Sequence, residues 1–555
     1  MLTPLAAFLA GVKAQPNTVY LRQPLDGVYH EFTWQQVAHN ARNIAYQLKN
    51  LGVEPGDKVA LWSKNCVQWI TADIAIMMAG AISVPLYPGQ SKANVHYVLE
   101  HSEAKVMFVG KHDVDEDVIN SIPPDFPVIG FPYYSGPTHH DWNQLVVADA
   151  PASYEIHMPK LDDVMTLVYT SGTTGQPKGA VHTCRSFAFS ANNGVEQINT
   201  GSNDRALSFL PLAHVAERMI VEGQSFYAWF TISFAESLDT FGDNLASVKP
   251  TLFFAVPRLW AKFQEGILTK VGGQKKLDRL LSIPLLSSFV ARKIRVGLGL
   301  NEAHICASGA SPIPRSLIDW FDRVGIEIVE GYGMTENLCY GTFNKTGDRL
   351  IGSVGKPFSK NEVKISDKGE ILFKSQALMQ GYFKEPEKTA QALIDGYYYT
   401  GDKGHIDDNG FLHITGRVKE LFKTSKGKYI APAPIEGLLT ANILIDQACV
   451  MGNGRTQPLA VIELSDTARG RGRGDIQTEI VNHVAQVNSE LEHHERLNCI
   501  VISQCIWTVN SGLITPTLKI RRETVESKYY PLGVDSKELI VWGEKEDASK
   551  EDEAA

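Results

Sequence analysis

Apolar and polar positions along the chain alternate between two periods. Over residues 32–51 the apolar side chains Val37, Ala41, Ile44, Ala45 and Leu48 recur every three or four residues, which predicts an amphipathic helix ended by Gly52. Residues 58–62 then read as a strand, 69–79 as a second helix and 81–86 as an apolar run. Short β-rich runs between helical stretches are the pattern of an α/β protein, and no fixed-period repeat interrupts it. Three later apolar runs, 164–169, 303–307 and 326–329, are each followed at once by a loop of small residues. Open α/β sheets bind ligands beyond the carboxyl ends of their strands, so these three loops predict a nucleotide pocket.

The character of the chain changes after about Gly416. Residues 417–429 are basic (Arg417, Lys419, Lys423, Lys426, Lys428), and shorter α/β elements follow. A domain boundary is expected there: a large domain over 1–416, a smaller one over 417–542, and a disordered acidic tail over 543–555. The segment 467–474, TARGRGRG, reads as a flexible, exposed basic loop, with phosphate contact as the alternative.

Composition narrows the class. Of 555 residues 44% are apolar and 21% charged, as in ordinary soluble proteins. The formal charge of −9 speaks against a global preference for nucleic acid and leaves local basic patches open. Seven scattered cysteines without a CxxC pair argue against a disulfide framework or zinc ribbon and favour a reducing compartment. The apolar patch at residues 4–11 is too short to span a bilayer and makes a poor signal peptide. A cytoplasmic protein is expected; contact with the inner face of a membrane and a homodimer stay open.

The strongest chemical signal is the loop 170–179, TSGTTGQPKG, with four hydroxyls, three glycines and one lysine. Glycines let backbone N–H groups converge on an anion, hydroxyls add donors, and Lys178 adds a point charge. It is not a Walker A loop, because Gln176 and Pro177 separate Gly175 from Lys178.

With Tyr169 ahead of it, this loop resembles the phosphate loop of the adenylate-forming superfamily, which includes acyl-CoA synthetases, luciferases and adenylation domains of peptide synthetases. Four further motifs follow in the family's order: Tyr332-Gly333-Met334-Thr335-Glu336, Thr400-Gly401-Asp402, Gly416-Arg417-Val418-Lys419, and a late lysine in Thr515-Pro516-Thr517-Leu518-Lys519. Within the superfamily the chain is most similar to long-chain acyl-CoA synthetases, through residues 210–218 (LPLAHVAER), 395–419 and 423–432. Two positions depart from that pattern. Tyr397 stands where a tryptophan is usual, and the position after His214 that is a gating tryptophan in some relatives is not aromatic.

The resemblance implies a fold of mixed sheets packed with helices plus a small mobile α+β domain. It implies ATP-dependent activation of a long-chain fatty acid as an acyl-adenylate, then transfer to coenzyme A, with Mg²⁺ as cofactor. Thr170, Ser171, Gly172, Thr173, Thr174, Gly175 and Lys178 would hold the phosphates. Ser308, Gly309 and Ala310, with Glu330, Gly331, Tyr332 and Thr335, would wall the adenine. Asp402 and Arg417 would take the ribose. Glu336 would ligate the metal with Thr170, Lys519 would serve adenylation, His214 would orient the carboxylate, Lys423 would serve the thioester step, and Lys419 would sit at the hinge. By composition alone Lys519 is a surface lysine beside Arg521 and Arg522, and His214 a core histidine among Leu210, Leu212 and Val215. The apolar stretch 219–234 walls an acyl tunnel or is core. Two other functions stay open: adenylation of an aryl or carrier-linked acid, and a catalytically silent nucleotide-binding regulator.

Overall fold

The computed structural model describes residues 1–112, 116–119, 122–134, 136–170, 176–509, 511–515 and 519–543. Two large sheets dominate the first three-quarters of the chain. One runs, in spatial order, Lys356–Pro357, Thr342–Phe343, Ile328–Tyr332, Ile305–Ser308, Leu252–Ala255, Arg205–Ser208, Thr231–Phe234, Val19–Leu25 and Val28–Thr33. The other runs Gly381–Tyr382, Lys178–Thr183, Val164–Thr170, Ile82–Leu86, Lys58–Trp62, Ala104–Val109, Val128–Gly130 and His140–Asp141. Both are mixed with parallel centres; the first has antiparallel edges, and the second is antiparallel at the Gly381–Tyr382 edge and parallel at the His140–Asp141 edge.

The helix Val67–Met78 has every residue buried and packs against strands of both sheets. A helix apolar on all sides has no solvent face to offer, so it must lie inside. The amphipathic helix Trp34–Asn50 covers it with Val37, Ala41, Ile44, Ala45 and Leu48. That helix starts two residues later than the periodicity predicts, because Phe32 and Thr33 complete the strand Val28–Thr33. Thr33 then caps the helix in a reciprocal pair with Gln36.

A third sheet (Glu362–Ile365, Glu370–Lys374, Tyr397–Ile406, Leu393–Ile394, with Leu412–Arg417 paired to Tyr397–Ile406) carries the chain to Arg417. Beyond it lies a four-stranded sheet, Ile445–Met451, Leu459–Leu464, Cys499–Ser503 and Ile540–Trp542. Ile476, Ile480, Val484 and Val487 of the helix Arg473–Glu490 cover one face; Val525 and Tyr529 of Arg522–Gly533 cover the other. The α/β expectation therefore holds, with mixed sheets and helices in a large lobe and a smaller lobe behind.

The basic segment 467–474 is exposed over 470–474 as expected, but it is a loop only over 470–472. Ser465 caps a helical turn, Asp466–Arg469, and Arg473 opens the long helix. Its arginines are engaged within the chain: Arg469 with Glu463, Arg471 with Glu479, and Arg473 over the Trp542 ring. Local composition missed this because the helix gains its stability from the sheet it covers.

Candidate functional site

A cleft of about 2630 Å³ opens between the lobes. The strands Ile305–Ser308 and Ile328–Tyr332 point their carboxyl ends at it, and Thr170 and Lys178 face one another across the antiparallel pair that flanks it. Ser171, Gly172, Thr173, Thr174 and Gly175, expected to hold phosphate, lie outside the described residues. Thr170 and Lys178 do line the cleft, and the Lys178 ammonium lies 5.0 Å from the centroid of the Tyr382 ring.

Tyr382 ties this edge to the acidic centre. Its hydroxyl donates to Glu336 Oε1 at 2.8 Å. Glu336 sits on the short turn Thr335–Asn337, where its carbonyl accepts from Met379 N–H and the Thr335 carbonyl accepts from His182 Nε2. His182 is wholly buried, and burial pushes its imidazole down to about 3. It is therefore neutral, and Nε2 carries the proton it donates.

The purine-sized wall is backbone. Gly309, Ala310, Gly331, Tyr332 and Glu330 line the cleft. A Cβ on Gly309 would stand 3.0 Å from the Gly331 carbonyl oxygen, so the two loop backbones approach as only glycine permits. Ser308 is not part of that wall. It is wholly buried at the strand end, where alternation turns its side chain away from the cleft that Gly309 and Ala310 face. Burial pushes the Glu330 carboxyl up to about 7, against the pull of the Gly352 and Ile313 amides.

Asp402 and Arg417 are direct partners on adjacent antiparallel strands. Arg417 Nε donates to Asp402 Oδ1 at 2.9 Å, and the Tyr332 hydroxyl donates to Oδ2 at 2.5 Å. Asp402 is nearly buried, so each oxygen is held ready as an oriented acceptor.

His214 caps the turn Val215–Glu217: its Nδ1 accepts the Ala216 N–H at 3.1 Å. The proton is thus on Nε2. Burial, and then the nearby Lys519 charge, push this imidazole down to about 4. Lys519 itself is held below the usual lysine range by burial and by Arg417, against the attraction of Glu336 and Asp402. The lysine keeps solvent access along the cleft although protein atoms crowd it on all sides. Lys519, from the smaller lobe, is therefore gathered with His214, Glu336 and Asp402. Lys423 is not: it lines the outer cleft, with its ammonium 4.8 Å from the centroid of the Tyr429 ring. Lys419 also lines the cleft, just beyond Gly416, whose φ of 147° suits glycine. An ion pair between Arg258 and Asp446 joins the two lobes nearby.

An apolar arm of the cleft runs past His214 between two helices. Ser190, Gly194 and Ile198 of Cys184–Ile198 form one side; Met219, Ile220 and Gln224 form the other. The stretch 219–234 thus lines this arm through Met219, Ile220 and Gln224 and joins the core through Phe226, Phe230, Ile232 and Phe234. Residues Arg218–Gly223 form a wide π turn, a form found mostly at functional sites. It is anchored from behind: Arg218 Nη2 donates to both Asp73 oxygens at 2.8 and 2.7 Å, and Nη1 donates to Thr166 Oγ1 at 2.7 Å. Sequence reasoning missed this anchor, and missed Tyr382, because both depend on contacts between distant segments.

A set of three or more His, Cys, Asp or Glu side chains suited to a metal is absent among the described residues. The donor chemistry of Glu336 and Thr170 on one cleft nevertheless fits magnesium, which takes few protein carboxylates and fills its shell with water and phosphate oxygens.

Residues 8–383 match the family of AMP-binding enzymes, and residues 420–531 match the AMP-binding enzyme C-terminal domain. The chain belongs to this family of adenylate-forming enzymes. It is 32% identical to a long-chain-fatty-acid–CoA ligase of Mycobacterium tuberculosis, over 93% of each chain. It is 26% identical to a long chain acyl-CoA synthetase of Arabidopsis thaliana, over 95% of this chain and 90% of that one. Among solved structures, the adenylation domain of a carboxylate reductase from Mycobacterium chelonae superposes with a TM-score of 0.82 at 22% identity, covering 96% of this chain and 90% of that one. An anthranilate CoA ligase superposes at 0.77 with 23% identity, covering 95% and 96%. At such identities the superpositions speak for the fold. No helix among the described residues is long and apolar enough to cross a membrane.

Proposed function

We propose that this protein is a long-chain fatty acid:CoA ligase that consumes ATP and releases AMP and pyrophosphate. The observation that carries the reading is the meeting of Lys519 from one lobe with His214, Glu336 and Asp402 from the other in one cleft, beside an apolar arm. The similarity to named long-chain ligases supports the acid and the acceptor.

In the first half-reaction a carboxylate oxygen attacks the α-phosphorus and the bond to the pyrophosphate oxygen breaks. Charge builds on the α-phosphate oxygens, where a preorganised cation contributes most. Lys519 meets this need, and its lowered affinity for a proton reflects the crowding of protein atoms around it and the Arg417 charge, against the pull of Glu336 and Asp402. The His214 Nε2–H, kept neutral, donates to the attacking carboxylate and orients it without adding a charge. Asp402 accepts from the ribose hydroxyls while Arg417 and Tyr332 hold it in place. Lys178, which lines the cleft, faces the departing phosphates. Mg²⁺, held by Glu336 with Thr170, would supply charge neutralisation to the phosphates. In the second half-reaction the CoA sulfur attacks the acyl carbon, the bond to AMP breaks, and the thiol proton leaves to solvent. Rotation of the smaller lobe about Lys419 would exchange Lys519 for Lys423 at that stage.

The test is pyrophosphate release from ATP and a series of fatty acids, with hydroxylamine trapping in the absence of CoA. Release that peaks with long saturated acids and needs CoA for turnover supports the reading. Silence across the whole series, or preference for an aryl acid, overturns it.

A further inference from the structure

A helical hairpin beside the cleft presents a surface that the ligase reading does not use. Its arms are Gln274–Leu281 and Pro284–Gly297. The second arm has two distinct faces. Ala291 and Ile294 are buried, and Val290 and Leu298 pack against the same core. About half a turn away, Leu285, Phe289, Arg292 and Val296 recur at intervals of four, three and four, which places them on one stripe. Leu285 is 92% exposed and Phe289 63%, with Ile283 and Val296 exposed beside them. Scattered apolar side chains on a surface need no explanation, but three on one helical stripe, with Ile283 exposed at the cap of the same helix, do.

The surrounding charge says what the stripe faces. Residues 262–296 hold eight lysines and arginines against two acidic residues, in a chain whose net charge is −9. Lys270, Lys275, Lys276, Arg279, Arg292 and Lys293 are exposed. Of the two acids, Asp278 is already taken by Arg323 and Gln274. Exposed leucine and phenylalanine amid cations are the composition of an element that lies in the interface of an anionic bilayer. A purely acidic partner would need the cations and leave the apolar stripe unmatched. The hairpin also adjoins the cleft, since Gln274 at its start lines it, as does Lys262 of the preceding helix Pro257–Val271.

We propose that the hairpin formed by Gln274–Leu281 and Pro284–Gly297 docks the protein on an anionic lipid surface, with Leu285 and Phe289 inserted among the acyl chains and the flanking cations on the headgroups. Docking would hold the cleft beside the bilayer in which long apolar acids partition. The surface stands independently of the ligase reading, because binding is read without turnover.

The experiment is co-sedimentation of the full chain with vesicles of phosphatidylcholine, with and without phosphatidylglycerol. The wild-type protein should partition onto the anionic vesicles and be released by salt. The pair Leu285→Ser and Phe289→Ser should lower that partition by about tenfold or more, since each removes apolar area from the interface. Charge reversal by Arg292→Glu and Lys293→Glu should lower it by about fivefold per lost cation and flatten the salt dependence. All four side chains are exposed, so thermal unfolding midpoints should not move and will show that the variants are folded. Three outcomes overturn the proposal: no sedimentation with either vesicle; binding that the serine pair leaves intact, which marks a merely acidic partner; or a dimer that the serine pair dissociates with no vesicle binding, which marks a second copy as the occupant.

Discussion

Lys519 reaches His214 across the boundary between the lobes, and its charge adds to burial in pushing the imidazole down. An imidazole held down to about 4 is neutral wherever the enzyme works, so its exposed Nε2–H remains a donor. A second cation there would compete with Lys519 for the same anion and would cost Coulomb energy in a poorly solvated site. In the proposed reaction the pair would divide the labour: one group would carry charge, the other orientation.

Replacing Lys519 by alanine should therefore separate the half-reactions. Acyl-adenylate formation, measured as ATP–pyrophosphate exchange, should fall by about 10²–10³-fold, the range for loss of a preorganised electrostatic partner. Thioester formation from supplied acyl-adenylate should change little. Lys423→Ala should show the opposite asymmetry, because Lys423 lies in the outer cleft. Equal losses in both steps for Lys519→Ala would mean that the ammonium does not act at the α-phosphate.

Asp402→Asn should weaken ATP without abolishing turnover. The amide leaves Arg417 and the Tyr332 hydroxyl without their charged acceptor and loses an acceptor for ribose. Hydrogen bonds to charged groups contribute about 1.5–3 kcal/mol, which converts to a rise in KM for ATP of about ten- to a hundredfold. Tyr332→Phe should give a smaller rise of the same kind. The comparison of KM for ATP with KM for the acid checks it, as the latter should stay put.

Much of this was written locally in the chain. The strand Lys58–Trp62 was legible to the residue, and so was the helix face of Val37, Ala41, Ile44, Ala45 and Leu48, because burial on one side imposes a period that sequence displays. Glu336, Asp402, Arg417 and Lys519 were legible as motifs, since each lies in a short run of unusual residues. What local pattern could not show was pairing at a distance. Tyr382 meets Glu336, and Arg218 meets Asp73, across 46 and 145 positions, with no periodicity to announce either. The error at 467–474 has the same root: Gly and Arg suggest a loop until a sheet supplies the face on which a helix packs.

His182 should contribute a loss of stability in acid, opposed by carboxyls such as Glu217 and Glu330 that burial pushes up and that bind their proton first in the native chain. The folded imidazole is held down to about 3 by burial, while an unfolded one titrates near 6.5. Below about 6.5 the unfolded chain binds a proton that the native chain refuses. The stabilisation is therefore complete above that value and is lost as pH falls toward about 3. From about pH 7 to about pH 5 the loss should be about 2 kcal/mol from this residue, with His214 adding in the same direction. The difference in urea midpoint between the wild-type chain and His182→Asn, followed across that window, will measure it: the wild-type chain should lose stability relative to the variant as pH falls.

Arg218→Met should unfold the protein more readily than it disturbs chemistry. The guanidinium and Asp73 are both buried, and removing one partner strands the other's charge. The expected cost is about 3–5 kcal/mol. Adding Asp73→Asn to Arg218→Met should recover part of it, because the Asp73 charge is then gone, while Glu222, which faces the guanidinium at 3.3 Å, is pushed toward its neutral form by burial. A double variant no better than the single one would show that shape, rather than charge, holds the π turn Arg218–Gly223 in place.

The apolar arm offers the sharpest test of acid length. Gly194 sits inside the helix Cys184–Ile198, and a Cβ there would meet Gln224 Nε2 at 2.9 Å. Gln224 is the mobile party, tied by a long hydrogen bond of 3.4 Å from the Thr200 hydroxyl. Leucine at 194 favours the helix over glycine, so stability should hold or rise. Its side chain should instead displace Gln224 and fill the arm between the two helices. Turnover with palmitate should then fall by about tenfold or more, while octanoate, which ends short of the block, should be processed as before. Uniform loss across chain lengths, measured as kcat/KM for each acid, would show that the acyl chain takes another path, since a block in the arm spares only those acids too short to reach it.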